Sequence, residues 1–483
     1  MAPGIRLRLI GTSDLHAYIY PYDYYRDRPD ETVGLAKTAA LISAARAEAT
    51  NSLLLDNGDF IQGAPLGDYA AQWLQTDNSA IHPVIAAMNE LGYAVGTLGN
   101  HEFNYGLDLL ETALRGAAFP VVCCNISRPD GSLYFQPWVI LDRAPRDEAG
   151  VSRPLRVGVI GFVTPQITQW DQSHLAGRAT TIGIVEAARV HVPELRRRGA
   201  DIVIALCHSG ISRKTPSPGD ENAALALSGV EGIDAILLGH QHLVLPGSDF
   251  RGIAGVDTDY GALRGIPAFM PGFFGSHLGI IDLLLLETES GWRIGRSSVA
   301  VRPIYQRDGE TITPTVDADV RLLEIARPGH EATLAYVRAP VGKIGSPINS
   351  YFALIADDPS VQIVNAAQAW YVRRLAQSVP ALAGLPILSA AAPFKCGGRG
   401  GPDYYTEVAA GPVAIKDVAN LYVYPNSLRV VKISGAVLRE WLERSASLFR
   451  RIDRHSRDRQ ALLDDTFSAY NFDVIAGVTY AID

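Results

Sequence analysis

An apolar run with a polar end occurs at Val95-Gly96-Thr97-Leu98-Gly99-Asn100-His101-Glu102-Phe103-Asn104. Its first four residues predict a short buried strand, which stops at a glycine. An amide, an imidazole and a carboxylate then follow side by side. Asn100 can offer a hard carbonyl oxygen to a metal ion, and His101 can offer a proton near neutral pH. The decapeptide therefore indicates a chemical site at the end of a strand.

Two strand ends that precede this stretch carry the same kinds of side chain. The alternating run 5–10 leads into Asp14 and His16, which are two residues apart and so point the same way on an extended backbone. The apolar run 52–55 leads into Asp59, which follows a glycine. Taken singly, these residues also fit a helix cap, a surface histidine and a turn aspartate. Together they favour a shared site.

Two later apolar runs stop on histidine. Residues 201–207 lead into His208, and residues 233–238 lead into His240 and His242. A single histidine in such a place is usually a hydrogen-bonded core residue. Four of the chain's 11 histidines at strand ends, counting His16, are hard to attribute to chance.

Helical spacing lies between these strands, at 34–48 and again at 83–91. Helices that alternate with strands predict an α/β fold built in layers. Open α/β sheets bind their ligands at the carboxyl ends of their strands. We therefore expect the polar strand ends to meet along one edge of a sheet.

The candidate ligands are too many for one metal ion. All seven offer oxygen or nitrogen: Asp14, His16, Asp59, Asn100, His208, His240 and His242. They suit two divalent ions about 3.5–4 Å apart that share one carboxylate, for which we choose Asp59. We assign Asp14, His16 and His242 to one ion, and Asn100, His208 and His240 to the other. A set without thiolate favours Mn, Zn, Fe, Co or Ni.

A pair of such ions indicates hydrolysis of a phosphoester by an activated water. His101 lies next to a candidate ligand and is not counted as one. We expect His101 to donate a proton or a hydrogen bond to the leaving group.

The composition of the chain limits which classes of binding partner are expected. The chain has 483 residues, enough for two or three domains, and 43 basic against 51 acidic residues give a net charge of −8. An acidic chain is a poor candidate for binding a nucleic-acid polymer, and no run of residues is long and apolar enough to predict a membrane span. We expect a monomer with reduced cysteines that acts on a small molecule.

The region near the amino terminus bears on the compartment. Residues 5–10 alternate and carry charge, so they predict a strand and not the apolar core of a signal peptide. We expect a cytoplasmic protein as the sequence is written, and a periplasmic one if a leader has been removed.

The remainder of the chain predicts a second domain. A helical pattern at 316–337 is followed by a change in composition after Pro340. We expect a metal-binding catalytic domain at 1–315, a connecting helix at 316–340 and a second domain at 341–483. Within that domain the pattern predicts a strand at 428–433 and a helix at 436–448.

These motifs resemble those of the calcineurin-like metallophosphoesterases, in which Asp-x-His, Gly-Asp, Gly-Asn-His-Glu, His and Gly-His-x-His follow in this order. The second half is similar to the 5′-nucleotidase superfamily, and closest to the branch of bifunctional 2′,3′-cyclic-nucleotide 2′-phosphodiesterase/3′-nucleotidases. The strings that narrow the resemblance are Ser13-Asp14-Leu15-His16, 99–107, 391–395, Tyr424-Pro425-Asn426 and Tyr470-Asn471-Phe472-Asp473.

The resemblance implies a four-layer α-β-β-α domain followed by an α+β nucleotide-binding domain. In relatives this second domain runs past the equivalent of Asp483, so we expect the chain to be a fragment or its domain to be incomplete. The implied activity converts 2′,3′-cyclic nucleotides to 3′-nucleotides and then removes the phosphate. The alternatives are a 5′-nucleotidase or nucleotide-sugar hydrolase, and a nucleotide-binding fragment with weak activity.

The resemblance also implies residue roles. Tyr424 would stack on the base, Asn426 and Asn471 would hydrogen-bond it, and Arg399 would contact phosphate or sugar. Other readings stay open, with Tyr424 as a core aromatic, Arg399 as a solvated charge and Asn471 as a turn former. In 5′-nucleotidases an Asp pairs with the catalytic His three residues before it. Here that position is Asn104, which carries no charge, so a His–carboxylate pair is not assumed.

Overall fold

The computed structural model describes residues 4–214, 217, 219–289, 291–398, 401, 404–423, 426, 428–464 and 466–483. The chain divides into an N-terminal unit, Met1–Leu334, and a C-terminal unit, Ala335–Asp483. This division falls inside the segment 316–340, for which the sequence predicts a connecting helix. The predicted domain bounds themselves stay predictions.

Two large sheets account for most of the N-terminal unit. Its strands are β1 (Ile5–Thr12), β2 (Tyr22–Asp23), β3 (Arg28–Pro29), β4 (Ser52–Asp56), β5 (Val95–Thr97), β6 (Val121–Val122), β7 (Ile126–Ser127), β8 (Trp138–Arg143), β9 (Leu155–Val163), β10 (Thr180–Thr181), β11 (Ile202–His208), β12 (Ala235–Leu238), β13 (Val244–Leu245), β14 (Val256–Asp257), β15 (Ala262–Leu263), β16 (Ile266–Pro271), β17 (His277–Thr288), β18 (Gly291–Pro303), β19 (Tyr305–Asp308) and β20 (Thr311–Pro314).

The helices connect these strands. They are α1 (Leu35–Ala47), α2 (Pro65–Thr76), α3 (Pro83–Leu91), α4 (Leu107–Leu114), α5 (Ile167–Trp170), α6 (Gln172–Leu175), α7 (Ile184–Arg197), α8 (Ala224–Leu227) and α9 (Val320–Val337). A single 3-10 turn, His101–Phe103, follows β5. The helices predicted at 34–48 and 83–91 are therefore confirmed.

The strand order brings the polar strand ends together. One sheet has the order β18-β17-β1-β4-β5-β6, in which β1, β4, β5 and β6 run parallel. The other follows the path β14-β15-β16-β12-β11-β9-β8, with β13 beside β16, and here β9, β11, β12 and β16 run parallel. The carboxyl ends of parallel neighbours share one edge of each sheet.

Three apolar layers separate the four layers of secondary structure. The central layer holds side chains of both sheets, such as Leu9 and Leu206. A second layer lies between the first sheet and helices α1 to α4, and a third between the second sheet and helices α7 and α8. Each buried Leu or Ile contributes roughly 1.5–3 kcal/mol. The predicted α-β-β-α architecture is confirmed.

Strand β11 shows why the sequence of these strands is continuously apolar. All seven of its residues are buried, since one face of the sheet meets the other sheet and the opposite face meets helices. The strand predicted at 201–207 is thus observed at Ile202–His208. Its last residue, His208, ends in the buried edge and not in solvent.

The C-terminal unit is smaller and mixes helices with short strand pairs. Its elements are β21 (Pro340–Ile344), β22 (Ile348–Asn349), α10 (Pro359–Ala376), β23 (Ser389–Ala391), β24 (Glu407–Val408), β25 (Gly411–Ala414), α11 (Ile415–Leu421), α12 (Gly435–Ser445) and β26 (Val474–Ala476). The strands pair as β21-β25, β22-β24 and β23-β26, and a small core forms around Ala353, Val361 and Ala391.

One sequence prediction in this unit is confirmed and another is wrong. Helix α12 begins where Ser434 accepts a hydrogen bond from the N–H of Val437, and a 3-10 turn extends it to Leu448. Residues 428–433 form no strand. They are exposed throughout, and an apolar run forms a strand only when a neighbouring strand takes up its backbone hydrogen bonds.

Two further observations concern the chain as a whole. The four cysteines, Cys123, Cys124, Cys207 and Cys396, are free thiols, and each is buried. Across the described part of the chain, every helix is either too short or too polar to cross a membrane.

Candidate metal centre

The seven candidate ligands occupy the strand ends that the sequence predicts. Asp14 and His16 follow β1, Asp59 follows β4 and Asn100 follows β5. His208 is the last residue of β11, and His240 and His242 follow β12. Five of them are buried, and the two late histidines are partly buried: Asp14, His16, Asp59, Asn100, His208, then His240 and His242.

One cluster contains Asp14, His16 and His242, the set assigned above to one ion. Their potential ligand atoms all lie within 4.8 Å of one another. His242 Nε2 is 3.4 Å from Asp14 Oδ1 and 3.0 Å from His16 Nε2. Three nitrogen and oxygen donors that face one point suit a divalent cation.

A second cluster contains Asp59, His208 and His240 within the same 4.8 Å limit. His208 Nε2 is 2.9 Å from Asp59 Oδ2, and His240 Nδ1 is 2.8 Å from Asn100 Oδ1. Asp59 Oδ2 is also 3.8 Å from His16 Nε2. Asp59 therefore lies between the two clusters, where a bridging carboxylate has to be.

His101 lies beside both clusters. With His16 and Asp59 it forms a third group within 4.8 Å, and its ring meets that of His16 edge to face at 4.9 Å. Its backbone N–H donates to Asp59 Oδ1 at 2.7 Å. Its Nδ1 is 2.7 Å from Asn104 Oδ1.

Hydrogen bonds behind the imidazoles select the ring nitrogen that faces inward. A backbone carbonyl can only accept, so His16 Nδ1 donates to Gln62 O at 2.8 Å, and His208 Nδ1 donates to Asn57 O at 2.7 Å. Each bond leaves Nε2 as the nitrogen that would bind a metal ion. Among the described residues, the buried His208 Nε2 has no hydrogen-bond partner of acceptable geometry. A metal ion would satisfy this atom.

The electrostatics of the buried carboxylates also favour a cation. Burial alone would raise the pKa of Asp59, but His208 and then His101 hold it well below its usual range. Burial lowers the pKa of His208, yet Asp59 and Asp14 raise it to about 10. The carboxylates thus attract positive charge to a place from which water is excluded. The donor set and this charge fit divalent metal ions.

The backbone at the centre is locally strained. Five of the seven candidate ligands have a positive φ: Asp14 (53°), His16 (47°), Asp59 (58°), His240 (73°) and His242 (58°). Residues with a Cβ rarely adopt this left-handed conformation, which costs about 1–3 kcal/mol each. The sharp turns aim consecutive side chains at one point, and strain of this kind concentrates at functional sites.

Two glycines allow the turns to approach each other. A Cβ on Gly99 would lie 2.1 Å from Asp59 Oδ1, and a Cβ on Gly239 would lie 2.1 Å from Ser13 Oγ. Both distances are far below a normal contact. The glycines before Asn100 and His240 are therefore required by packing around the carboxylates.

Glu102 holds two of these turns in place, a role that the sequence analysis did not assign. Its Oε2 accepts the N–H groups of Asp59 and Gly99 at 2.7 and 2.6 Å. Its Oε1 accepts those of residues 60 and 61. Burial raises the pKa of Glu102. One side chain thus ties the end of β4 to the end of β5.

Two further carboxylates were missed because they lie on loops. Asp171 accepts hydrogen bonds from Asn104 Nδ2, and Glu221 accepts one from His240 Nε2 at 2.7 Å. Asn104 could have indicated Asp171, because an amide at the position where 5′-nucleotidases have an aspartate can itself donate to a carboxylate behind it. No pattern around Glu221 distinguishes it from a surface residue.

Aromatic rings flank the centre. Trp170 stacks on His240 with ring centroids 5.9 Å apart, and Phe273 stacks on His242 at 4.8 Å. Phe274 meets His16 edge to face at 5.5 Å. The rings limit the orientations that these imidazoles can take.

The predicted substrate contacts lie in the C-terminal unit. Arg399 and Tyr424 lie outside the described residues. Asn426 is exposed, and its Nδ2 donates to Tyr422 Oη at 3.1 Å. Asn471 is exposed in a 3-10 turn, Ala469–Asn471. The roles of all four residues stay predictions.

Family profiles match both halves of the chain. The profile described as calcineurin-like phosphoesterase matches residues 7–244. The profile described as 5′-nucleotidase, C-terminal domain, matches residues 352–483. The first profile thus covers the strand-end motifs, and the second covers most of the C-terminal unit.

Several curated proteins are similar over the whole chain. A 2′,3′-cyclic-nucleotide 2′-phosphodiesterase/3′-nucleotidase of Salmonella typhimurium is 48% identical, and the match covers 100% of this chain and 74% of that protein. The trifunctional nucleotide phosphoesterase YfkN of Bacillus subtilis is 44% identical over 100% of this chain and 33% of its own length.

Solved structures share the fold. A crystal structure of the calcineurin-like phosphoesterase YfkN from Bacillus subtilis aligns with a TM-score of 0.66 at 40% identity, over 70% of this chain and 100% of that one. A 5′-nucleotidase precursor from Thermus thermophilus aligns with a TM-score of 0.65 over 98% of this chain and 81% of that one; at 19% identity it bears on the fold alone. The resemblance read from the strand-end motifs is confirmed, and the chain belongs to the calcineurin-like phosphoesterase family, among the members that carry a 5′-nucleotidase C-terminal domain.

Proposed function

We propose that this chain hydrolyses 2′,3′-cyclic nucleotides to 3′-nucleotides, and 3′-nucleotides to nucleosides and phosphate. The observation that supports the proposal is that seven side chains with oxygen or nitrogen donors lie close together, in a chain similar over its full length to proteins named for these two reactions. Those proteins are 48%, 47% and 44% identical and come from Salmonella typhimurium, Yersinia enterocolitica and Haemophilus influenzae.

The residues of the centre would hold two divalent ions, with Asp59 between them. Ions of the Mn, Zn, Fe, Co or Ni type would supply charge stabilisation at the phosphoryl oxygens and a water whose pKa is near neutral. The second ring nitrogens of His16 and His208 are held by Gln62 and Asn57, so these ligands are preorganised.

His101 would serve the leaving oxygen. In the first reaction water forms a bond to phosphorus, the bond from phosphorus to the 2′-oxygen breaks, and that oxygen takes a proton. In the second reaction the bond to the 3′-oxygen breaks in the same way. Because Asn104 engages Nδ1, His101 would present the proton from Nε2.

The nucleoside would be held by the C-terminal unit. By the family resemblance, Tyr424 stacks on the base, Asn426 and Asn471 hydrogen-bond its edge, and Arg399 contacts phosphate or sugar. A stacked base contributes about 1–3 kcal/mol with little regard to its identity. The exposed side chains of Asn426 and Asn471 are compatible with this role.

The test is a time course with purified protein loaded with Mn²⁺. Incubation with 2′,3′-cyclic AMP should first produce 3′-AMP and then adenosine, both followed by chromatography. Turnover of 5′-AMP at an equal or higher rate would replace the proposal with a 5′-nucleotidase. Two bound metal ions without turnover of either compound would leave a nucleotide-binding fragment. Light scattering on the same sample tests the predicted monomer.

A further inference from the structure

A hydrogen-bonded chain extends from His101 to a carboxylate on another element. His101 Nδ1 lies 2.7 Å from Asn104 Oδ1, and Asn104 Nδ2 lies 3.1 and 3.2 Å from the two carboxylate oxygens of Asp171. Asp171 is 67 positions further along the chain and is only 8% exposed. His101 and Asp171 are thus connected through the amide of Asn104, and not by a direct hydrogen bond.

The orientation of Asp171 is unusual for its position. It directly precedes helix α6, where an aspartate normally accepts a hydrogen bond from its own helix. Its side chain makes no such bond, and both oxygens instead accept from Asn104 Nδ2. The carboxylate therefore does not cap helix α6, and it contacts the loop that carries His101.

The chain of donors and acceptors can run in one direction only. An ionised carboxylate accepts hydrogen bonds and cannot donate, so the NH₂ group of Asn104 must face Asp171. The amide oxygen then faces His101, and the imidazole must donate from Nδ1. The position of Asp171 therefore decides which way the Asn104 amide points and that the Nδ1–H of His101 faces this amide.

We infer that Asp171 is a positioning residue for His101, acting through Asn104 to hold the imidazole with Nδ1–H turned away and Nε2 turned toward the leaving oxygen. The inference deepens the proposed function, because it rests on His101 serving the leaving group. The proton that Nε2 gives to the leaving oxygen is a second one, taken up from water, and after the transfer Nδ1 keeps the proton that Asn104 already accepts. No rearrangement of hydrogen bonds is then needed at the moment of bond cleavage.

The kinetic test uses Asp171→Asn, which keeps the shape and removes the obligatory acceptor. We expect kcat for 2′,3′-cyclic AMP to fall about 10- to 100-fold with KM changed less than about twofold, as for loss of proton transfer in the transition state. Hydrolysis of p-nitrophenyl phosphate, whose leaving group needs no proton, should be affected far less. Equal losses on both substrates would overturn the inference and make Asp171 a structural residue.

A swap of the two side chains provides a rescue. In Asn104→Asp/Asp171→Asn the carboxylate accepts directly from His101 Nδ1, and the new amide donates to that carboxylate, so the direction is restored. We expect the swap to recover most of the kcat that Asp171→Asn loses. A swap no more active than the single variant would contradict the proposed chain. The control is Asp108→Asn, which removes an exposed ion pair with Arg178 and should leave kcat unchanged.

A direct readout separates this inference from the proposed function. In protein labelled with ¹⁵N-histidine, the His101 signal is identified by its absence in His101→Ala. We expect it to report a proton on Nδ1 in the wild type and a mixture of tautomers in Asp171→Asn. This result would stand even if cyclic nucleotides were not hydrolysed, in which case only the proposed function fails. An unchanged His101 signal in a folded Asp171→Asn protein would overturn the inference.

Discussion

Glu221 Oε1 lies 2.7 Å from Nε2 of His240, on the side of the ring that faces away from Asn100. The hydrogen bond with His240 lowers the pKa of Glu221, and it outweighs burial, which acts in the opposite direction. Glu221 therefore accepts a hydrogen bond from Nε2, so Nδ1, which faces Asn100, is the nitrogen that would bind a cation. A carboxylate behind a histidine ligand in this way also raises the basicity of that ligand.

Replacement of Glu221 should mainly weaken the binding of metal ions. We expect Glu221→Gln to lower the affinity for Mn²⁺ at one of two sites by about 10- to 100-fold, since Gln can also turn its NH₂ toward the ring. Isothermal titration with Mn²⁺ measures both sites. Glu186→Gln, on helix α7, is the matched control. Equal affinities for wild type and Glu221→Gln would contradict a role in orienting His240.

Loss of Asp59 should abolish turnover, because its Oδ2 lies 3.8 Å from His16 Nε2 in one cluster and 2.9 Å from His208 Nε2 in the other. We expect Asp59→Ala to bind fewer than two metal ions per chain and to show no hydrolysis of 2′,3′-cyclic AMP. Elemental analysis of the dialysed protein gives the metal content. Full activity with two ions bound would show that another group forms the bridge.

Loss of the Glu102 carboxylate should destabilise the fold. Its oxygens accept four backbone N–H groups, from Asp59, Gly99 and residues 60–61. In Glu102→Gln the NH₂ end faces two buried donors, so the free energy of unfolding should fall by about 3 kcal/mol. Urea denaturation measures this change. Glu111→Gln, which alters an exposed side chain that accepts a hydrogen bond from Tyr134, should change stability by less than about 0.5 kcal/mol.

A buried histidine that is not among the candidate ligands should give part of the acid sensitivity. Burial lowers the pKa of His82 from 6.5 to about 4, and its Nδ1 accepts the N–H of Val84 at the start of helix α3. Between these two pH values the unfolded chain binds more protons than the folded one. Stability from this group is therefore complete above pH 6.5 and is lost as the pH falls toward 4, by about 1.4 kcal/mol per unit.

The variant His82→Asn tests this dependence. Asn can cap the helix but does not titrate, so the free energy of unfolding should fall less steeply between pH 6.5 and 4 than in the wild type. Denaturation curves at several pH values measure the slopes. Parallel slopes for the two proteins would assign the acid sensitivity to other groups.

The proposed base contact has a simple kinetic signature. We expect Tyr424→Ala to raise KM for 2′,3′-cyclic AMP by about tenfold, the loss of one stacked base, while KM for p-nitrophenyl phosphate stays the same. Steady-state kinetics on the two substrates distinguish the cases. An equal loss on both substrates would indicate misfolding and not a lost contact.

The strand ends were predictable because periodicity and topology act together there. An apolar run such as 201–207 must be buried, and the carboxyl ends of parallel strands share one edge. Strand order thus gathers Asp14 with the other ends of the first sheet, and His208 with those of the second. The two groups meet because the sheets pack face to face through a shared apolar layer, although Asp14 and His208 are almost 200 positions apart in the sequence.

The carboxylates behind the ligands could not be predicted in this way. Asp171 and Glu221 lie on connecting segments, whose positions depend on how they pack and not on a repeating pattern. Asp171 in particular looks like an ordinary helix cap in the sequence. The strand predicted at 428–433 failed for a related reason, because local β-propensity does not supply a neighbouring strand.

The left-handed turns at Asp14, His16, Asp59, His240 and His242 have a consequence for engineering. Glycine at such a position would remove the steric conflict of the Cβ and so make the turn less costly to form. At these five positions that replacement also deletes a group on which catalysis is proposed to depend. The substitutions that would relieve most backbone strain are therefore also the ones expected to abolish activity. A search for heat-resistant variants that keep their activity should start from Arg264, an exposed residue that shares the conformation but supplies no candidate ligand.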